Sequence, residues 1–207
     1  MRLLKFTQGG FVKQLFVVLA VVGVLGATEA RAQDRGGVRV GWNAANLSGN
    51  DAADLDDSKT RNGLVVGVFG VVPVNEHFAF QPEVLFSQQG AKLEDGSDEA
   101  TIRLDYIQIP LLARIRLGMS PSAPVHALVG PSFGFRTNAE IKADDVTVDI
   151  KDDVESTDIG IVAGVAVNAG AAVIDGRYTW GLRNIDKSGD GSDVKNRVFS
   201  LSVGFRF

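Results

Sequence analysis

Alternation between apolar and other residues, repeated along the chain, is the feature that most restricts what this sequence can fold into. The C-terminal stretch shows it most simply, because Phe199, Leu201, Val203, Phe205 and Phe207 alternate with residues that are mostly small or polar. A period of two indicates a β-strand with one apolar face and one polar face. Seven earlier segments also have strand character, at residues 38–47, 63–74, 78–88, 102–117, 125–136, 158–168 and 171–182.

Residues 1–32 are predicted to be a cleavable secretory signal peptide. Basic residues precede an uncharged apolar run at positions 15–27, and Ala30-Arg31-Ala32 then fits the small-x-small cleavage pattern. A membrane-anchor helix is the alternative, but a helix needs about 20 apolar residues to cross a bilayer, and this run is shorter. We therefore expect residues 33–207 to form the mature domain. If that domain spans a membrane, it must do so with strands, because it contains no other long apolar segment.

The connections between the predicted strands alternate between short and long. Short turns are expected at residues 75–77, 118–124 and 169–170, and longer polar segments at 48–62, 88–101, 137–157 and 183–196. Acidic residues concentrate in the long segments; residues 137–157 hold seven of them against two lysines. This rhythm is typical of outer-membrane barrels, whose long loops are extracellular and whose termini are periplasmic. The predicted fold is an eight-stranded antiparallel up-and-down transmembrane β-barrel.

The polar faces of the strands are predicted to line the interior of this barrel. A soluble, lipocalin-like barrel would instead place its charges on the solvent side, and alternation alone does not decide between the two. The export signal, the aromatic C-terminus and the loop rhythm favour the membrane barrel. Eight strands enclose only enough space for side chains, so we expect a filled, polar core in which Glu83 pairs with Arg114 or Arg177. The predicted interior polar residues are Arg39, Glu83, Arg114, Arg116, Asp175 and Arg177.

Two irregularities interrupt the pattern. Ile102 and Leu104 occupy even positions, whereas the apolar residues after Tyr106 occupy odd ones, and a β-bulge near Tyr106 would explain the change. Prolines at 82, 110 and 131 also conflict with a continuous ladder, because proline cannot donate a backbone hydrogen bond. Bulges would accommodate them.

Composition excludes some partners. The chain has no cysteine, so no disulfide stabilises it. Removing residues 1–32 takes away four of its 21 basic residues and one of its 25 acidic ones, which leaves 17 and 24 and a net charge of −7. No basic stripe remains to follow a phosphate backbone, so nucleic acid is not an expected partner. No cofactor is expected.

Five stretches of the chain form a set of motifs: GVRVGWN at 37–43, QPEVLFSQQG at 81–90, LDYIQIPLL at 104–112, GP at 130–131 and RYTWGLRNI at 177–185. These motifs resemble those of the PorT-like outer-membrane β-barrel proteins of the Bacteroidota and their relatives. They occur in the family's order and cover nearly the whole mature chain, and Pro82, Pro110 and Pro131 lie inside them. The resemblance implies an eight-stranded outer-membrane barrel whose founding member is associated with type IX protein secretion and gliding, and it implies no catalytic residue.

Other chemistry has weak support in the sequence. His77 and His126 are the only histidines, and each is expected to be structural. Asp186, Ser188 and Asp190 match three positions of a calcium loop, but Arg197 stands where the closing glutamate should be.

We therefore predict a small integral outer-membrane protein of structural or interaction type, with no enzymatic activity. It would contact outer-membrane lipid and lipopolysaccharide, and its extracellular loops would offer a surface for a protein partner. A barrel enzyme acting on lipid or peptide, and a narrow channel, are the alternatives. Phe205 and Phe207 resemble the C-terminal aromatic signal that the outer-membrane assembly machinery reads.

Overall fold

The computed structural model describes residues 36–49, 59–95, 98–117, 123–143, 146–187 and 193–207. The predicted signal peptide at 1–32 lies outside the described residues. Within these ranges, no helix is long and apolar enough to cross a membrane.

Within the described residues, ten β-strands form one antiparallel sheet. The strands are β1 (Gly36–Gly49), β2 (Lys59–Gly70), β3 (Val72–Pro73), β4 (Phe78–Asp95), β5 (Asp98–Arg116), β6 (Val125–Ala143), β7 (Val146–Asp149), β8 (Thr157–Ala169), β9 (Ala172–Gly181) and β10 (Val194–Arg206). Eight of them build a closed barrel; β3 follows β2 in pairing with β4, and β7 adds to the end of β6.

Each barrel strand pairs with the next barrel strand along the chain, and the last pairs with the first. The seam between β1 and β10 runs in register from Gly37 opposite Arg206 to Gly49 opposite Val194. The backbone N–H of Phe207 donates to the carbonyl of Gly36 at 3.0 Å, so both ends of the described barrel meet at one rim. The predicted eight-stranded up-and-down barrel is confirmed.

The two rims differ in their connections, and we name them accordingly. The termini end carries the short connections, including a tight β8–β9 turn in which Gly170 has a φ of 60° that favours glycine. The hairpin end carries the connections β1–β2, β4–β5, β6–β8 and β9–β10. Segment 88–101, expected to be a loop, instead consists largely of the ends of β4 and β5, which pair up to Asp95 opposite Asp98. Strands β4, β5 and β6 therefore form a wall at the hairpin end that is taller than the rest of the barrel.

The outer face of the barrel is apolar over the length where all eight strands are present. On β10, Phe199, Leu201, Val203 and Phe205 point outward, while Ser202 between them is buried inside. The same alternation holds on β1, where Arg39 is buried. Large apolar side chains on the outside are what a lipid environment requires of a barrel surface.

The inner face is not uniformly polar, which corrects one expectation. One buried apolar cluster within the barrel contains Phe69, Leu112, Leu128, Val162, Ala166 and Val173. A second lies towards the hairpin end and contains Leu47, Ala91, Leu104, Tyr106, Ala139 and Ile185. The interior is thus filled by alternating polar and apolar groups of side chains.

The bulge that the sequence suggested near Tyr106 lies on the partner strand. Asp105 pairs with Asn138 and Tyr106 with Arg136, so Thr137 of β6 is the extra residue. Leu104 and Tyr106 both point inward, and β5 itself keeps one phase. After Tyr106 the apolar residues at odd positions of β5 lie on the outer face. Towards the hairpin end the inner face of the wall is apolar instead, so the apolar residues Leu104 and Tyr106 occupy even positions, while Asp105 and Arg103 face outward.

The prolines lie within strands without the bulges that we expected beside them. Pairing between β4 and β5 keeps one register on both sides of Pro110, where Pro82 lies opposite Leu111 and Leu85 lies opposite Gln108. Only the two residue pairs between these positions are missing from the ladder. Pro131 is in register with Ile161. A local gap in the ladder is enough to accommodate a residue that cannot donate.

Candidate functional site: the filled lumen

Four charged side chains form an ionic ring across the lumen. Arg39 on β1 donates to Glu83 at 3.1 Å and to Asp175 at 2.5 Å. Arg177 on β9 donates to Glu83 at 2.7 Å and to Asp175 at 2.6 Å. Each arginine therefore contacts both carboxylates, and the four charges sum to zero.

Neutral neighbours complete the ionic ring. The Gln81 amide donates to Glu83 Oε1 at 2.6 Å, and the Ser202 hydroxyl donates to Asp175 Oδ2 at 3.0 Å. All four charged side chains are buried. Charges removed from water are tolerated only when they are paired and hydrogen-bonded in this way, so the ring ties opposite walls of the barrel together and obstructs the lumen.

Arg114 forms a separate layer nearer the termini end. It donates to the side-chain oxygens of Gln81 and Asn168, each at 2.7 Å, and its Nη2 lies 3.1 Å from His126 Nδ1. Among the described residues, no carboxylate lies within ion-pair distance of it. Of the two pairs considered for Glu83, the one with Arg177 is present and the one with Arg114 is not.

Arg116 is not part of the interior core, contrary to expectation. It has the same inward phase as Arg114, but it is the last residue of β5 and its side chain is exposed. The barrel opens to solvent at this rim, so an inward direction does not bury the guanidinium.

Polar side chains continue on the other side of the ionic ring. Asn43 donates to Ser87 at 2.9 Å and accepts from Ser200 at 2.7 Å. An internal cavity of about 20 Å³ lies in this region, with Arg39 and Ser132 among its lining residues. That volume has room for about one water molecule, so the cavity is too small to hold a larger solute.

Residues 150–156, which we call the lid, fold back over the hairpin end. Arg136 donates from its guanidinium to the carbonyl oxygens of Lys151, Val154 and Glu155, at 2.8, 3.2 and 3.1 Å. Ile150 and Val154 pack against the apolar cluster at this end. The lid is also tied to the next connection, where the Glu155 N–H donates to the carbonyl of Ile185 at 2.7 Å.

The lid begins beside β7, where Lys151 contacts Asp149. The Lys151 ammonium donates to the Asp149 carboxylate at 2.7 Å. This hydrogen bond, with a second one from the Lys151 backbone N–H, holds the pKa of Asp149 below its usual value. Both side chains are largely exposed, so the pair contributes little to stability.

The calcium hypothesis stays a prediction, because Ser188 and Asp190 lie outside the described residues. Asp186 forms an isolated backbone bridge with Val154 of the lid. Within the described part of the chain, no group of three or more His, Cys, Asp or Glu residues could hold a metal ion. His77 lies in the β3–β4 turn, where its backbone N–H donates to Asn75 Oδ1, and the His126 ring contacts Arg114.

Phe205 and Phe207 are exposed on the outside of the seam at the termini end. Their role as an assembly signal stays a prediction, because exposure to lipid and recognition by assembly machinery give the same side-chain placement.

Sequence reasoning missed the lid and its Arg136 contacts. A signal was present: Arg136 lies at the end of a polar face, followed by a segment in which Ile150 and Val154 are apolar among acids. Nothing in the alternation itself could show that this segment turns inward.

Comparisons with known proteins agree with this architecture. A family model described as "Outer membrane protein beta-barrel domain" matches residues 32–187. The chain is similar to the solved structure of Ail, the attachment invasion locus protein of Yersinia pestis, at 16% identity over 84% of this chain and 99% of that chain, with a TM-score of 0.50. Neisserial surface protein A (NspA) has 12% identity over 83% of this chain and 97% of that chain, with a TM-score of 0.49. The search of curated proteins finds no match.

Proposed function

This chain belongs to the family of outer membrane protein β-barrel domains, and on that premise we propose that it is a small integral outer-membrane protein that acts by interaction rather than by transport or catalysis. The hairpin end faces the exterior, and the termini end faces the periplasm. The protruding wall of β4, β5 and β6 offers a surface to a protein partner, and the outer face contacts lipid and lipopolysaccharide.

The observation that carries this proposal is the obstruction of the lumen. The ionic ring fills the barrel with paired charges, and the lid covers the hairpin end. A solute would have to displace both layers to pass. A barrel through which no solute passes can act only through its outer surfaces. Of the described surfaces, the wall extends furthest beyond the apolar belt.

The outer face supports the membrane placement. Exposed Phe78 and Phe80 lie at the start of β4 near the termini end, whereas exposed Trp42 and Trp180 lie further towards the hairpin end. Aromatic side chains near both edges of an apolar belt are typical of outer-membrane barrels, where they meet the two interfaces.

The wall supports an interaction surface. Strands β5 and β6 each have 19 residues, whereas a tilted membrane strand needs about 9 to 11. The outward positions near the hairpin end, such as Arg103 and Lys142, are polar or charged. A pleated surface of mixed charge above the apolar belt is suited to polar contacts with a protein.

Conductance measurements test the absence of transport. Purified protein inserted into planar bilayers should give no discrete conductance steps under an applied potential. Reproducible steps would support the narrow-channel alternative and contradict the proposal. A conducting porin reconstituted in parallel serves as the control for insertion.

Labelling of single cysteines tests the orientation, because the native chain has no cysteine. Asp152→Cys in the lid should react with a membrane-impermeant maleimide in intact cells. Glu76→Cys, in the β3–β4 turn at the termini end, should react only after the cells are lysed. The reverse pattern would place the hairpin end in the periplasm.

A finer form of the proposal is an accessory role in protein secretion, which the PorT resemblance supports. Deletion of the gene should then reduce the amount of secreted cargo in the medium and leave cargo in the periplasm. Normal secretion by the deletion strain would remove this role while leaving the interaction function standing.

A further inference from the structure

Asp158 on β8 and Asn196 on β10 form a buried pair at the hairpin side of the lumen. Asn196 Nδ2 donates to Asp158 Oδ2 at 2.8 Å and lies 3.4 Å from the hydroxyl of Tyr106. The other two oxygens of the pair, Asp158 Oδ1 and Asn196 Oδ1, are buried and have no hydrogen-bond partner among the described residues. Two buried acceptors without donors are costly, so the pair calls for a positively polarised partner.

Among the neighbouring inward positions, the Tyr106 hydroxyl reaches the Asn196 amide nitrogen and neither of the two free oxygens, and the others are glycines without a side chain. Gly160 on β8 and Gly181 on β9 are in register between the two residues, and Gly134 on β6 lies beside them. A Cβ at Gly134 would lie 3.3 Å from Asp158 Cβ and from Tyr106 Cδ1, and a Cβ at Gly181 would lie 2.8 Å from the carbonyl oxygen of Asn196. Strands β6, β8 and β9 thus present backbone rather than side chains to this pair.

The nearby arginines are engaged elsewhere. Arg136 donates to the lid carbonyls, Arg183 contacts Glu155 and Thr157, and Arg197 donates to the carbonyls of Gly181 and Asn196. The connecting stretches at this end that lie outside the described residues, 50–58, 96–97, 144–145 and 188–192, contain no lysine, arginine or histidine. The chain therefore has no free cationic side chain in these stretches to offer the two oxygens.

The composition of this end favours an external cation. The same connecting stretches contain seven aspartates. The lid adds Asp152 and Asp153 against Lys151, while Glu155 is paired with Arg183. A concentration of one sign of charge raises the local concentration of the opposite ion. On this composition, we expect the hairpin end to attract cations.

We propose that Asp158 and Asn196 bind a monovalent cation, of which sodium is the representative, through Asp158 Oδ1 and Asn196 Oδ1. The donors are all oxygens, which hard cations prefer. A single carboxylate balances one positive charge, whereas calcium sites normally combine several oxygen ligands including more than one acid. The cation links β8 and β10 across β9, near the layer that the lid covers.

Thermal unfolding of the purified protein in detergent tests the proposal. At constant ionic strength, replacing N-methylglucamine chloride with NaCl should raise the midpoint by about 3 °C for each tenfold increase in sodium above the dissociation constant. Asp158→Asn should abolish this dependence, because it removes the charge of the site while keeping its shape. Asp153→Asn, which removes an exposed acid of the lid, is the matched control and should keep the dependence.

Three outcomes would overturn the proposal. Equal midpoints in the two salts would mean that a water molecule satisfies both oxygens. Loss of the dependence in Asp153→Asn as well would assign the effect to diffuse screening of the acidic rim. A response to micromolar calcium that sodium does not reproduce would replace the monovalent site with a divalent one. If Asp158→Asn does not fold, a 23Na NMR relaxation titration of the native protein, with Asp153→Asn alongside, decides between binding and its absence.

Discussion

Glu83 and Arg177 join opposite walls of the barrel by two hydrogen bonds, at 2.7 and 3.1 Å, across 94 positions of sequence. Their strands, β4 and β9, are separated by three strands on either side of the closed sheet. The pair therefore crosses the full width of the lumen. Because both groups are buried, the arrangement depends on each charge finding its partner.

Glu83→Gln should destabilise the barrel strongly. The change leaves Arg39 and Arg177 with Asp175 as their only carboxylate, and breaking a buried ion pair costs about 3–5 kcal/mol. Urea unfolding followed by heat-modifiable gel mobility measures the difference. Glu76→Gln, in the exposed turn before β4, is the matched control and should change stability by less than about 0.5 kcal/mol. Similar stabilities for the two variants would show that the ionic ring contributes little.

The barrel itself could be predicted from sequence because alternation reports the environment on each side of a strand. On β10, Phe199, Leu201, Val203 and Phe205 point outward and Ser202 points into the lumen. The two different environments therefore leave a period of two in the sequence. The apolar cluster that contains Leu104 and Tyr106 was not predicted, because alternation shows which residues share a face but not which face points inward. At the hairpin end the inner face is apolar and the outer face is polar, the reverse of the arrangement in the belt. In the sequence this reversal looks like a change of strand phase.

The ionic ring could be predicted only in part. Inward charges on separate strands were expected to pair, but partner choice depends on height along the barrel, which the stagger of the strands sets. Arg114 lies one layer below Glu83 and contacts Gln81 instead. Arg116 has the correct phase but lies at the open rim, and strand ends are the positions that sequence patterns locate least well.

Gly67→Ala and Gly176→Ala should distinguish a glycine that is required because a side chain would clash from a glycine that merely lowers the stability of its strand. A Cβ at Gly67 would lie 2.1 Å from the carbonyl oxygen of Val84, whereas a Cβ at Gly176 would meet nothing within 4 Å. Overpacking at Gly67 should cost about 1–3 kcal/mol, and Gly176→Ala should be neutral or slightly stabilising because it restricts the unfolded chain. Unfolding midpoints in one detergent compare the two directly, and equal losses would contradict the steric argument.

Val203→Arg should reduce both stability and yield in the membrane fraction. Val203 is 54% exposed on the outside of the seam strand β10, and an arginine facing lipid near the bilayer centre costs about 2–4 kcal/mol. Val146→Arg is the control, because Val146 is also exposed, at 61%, but lies on β7 at the hairpin end. If both substitutions were tolerated in detergent and in lipid vesicles, the outer face of β10 would not be a lipid surface.

Arg136→Ala should release the lid while leaving the ionic ring in place. The substitution removes three hydrogen bonds from a charged donor to lid carbonyls, about 3 kcal/mol together, so local opening of the lid should increase roughly a hundredfold. Amide hydrogen exchange at Glu155, whose N–H bonds to Ile185 in the closed lid, measures this opening. Lys142→Ala, on the exposed side of β6, should leave the exchange unchanged. Planar-bilayer recordings of Arg136→Ala should still be silent because the ring remains closed, and discrete conductance from this variant alone would make the lid, rather than the ring, the barrier in the lumen.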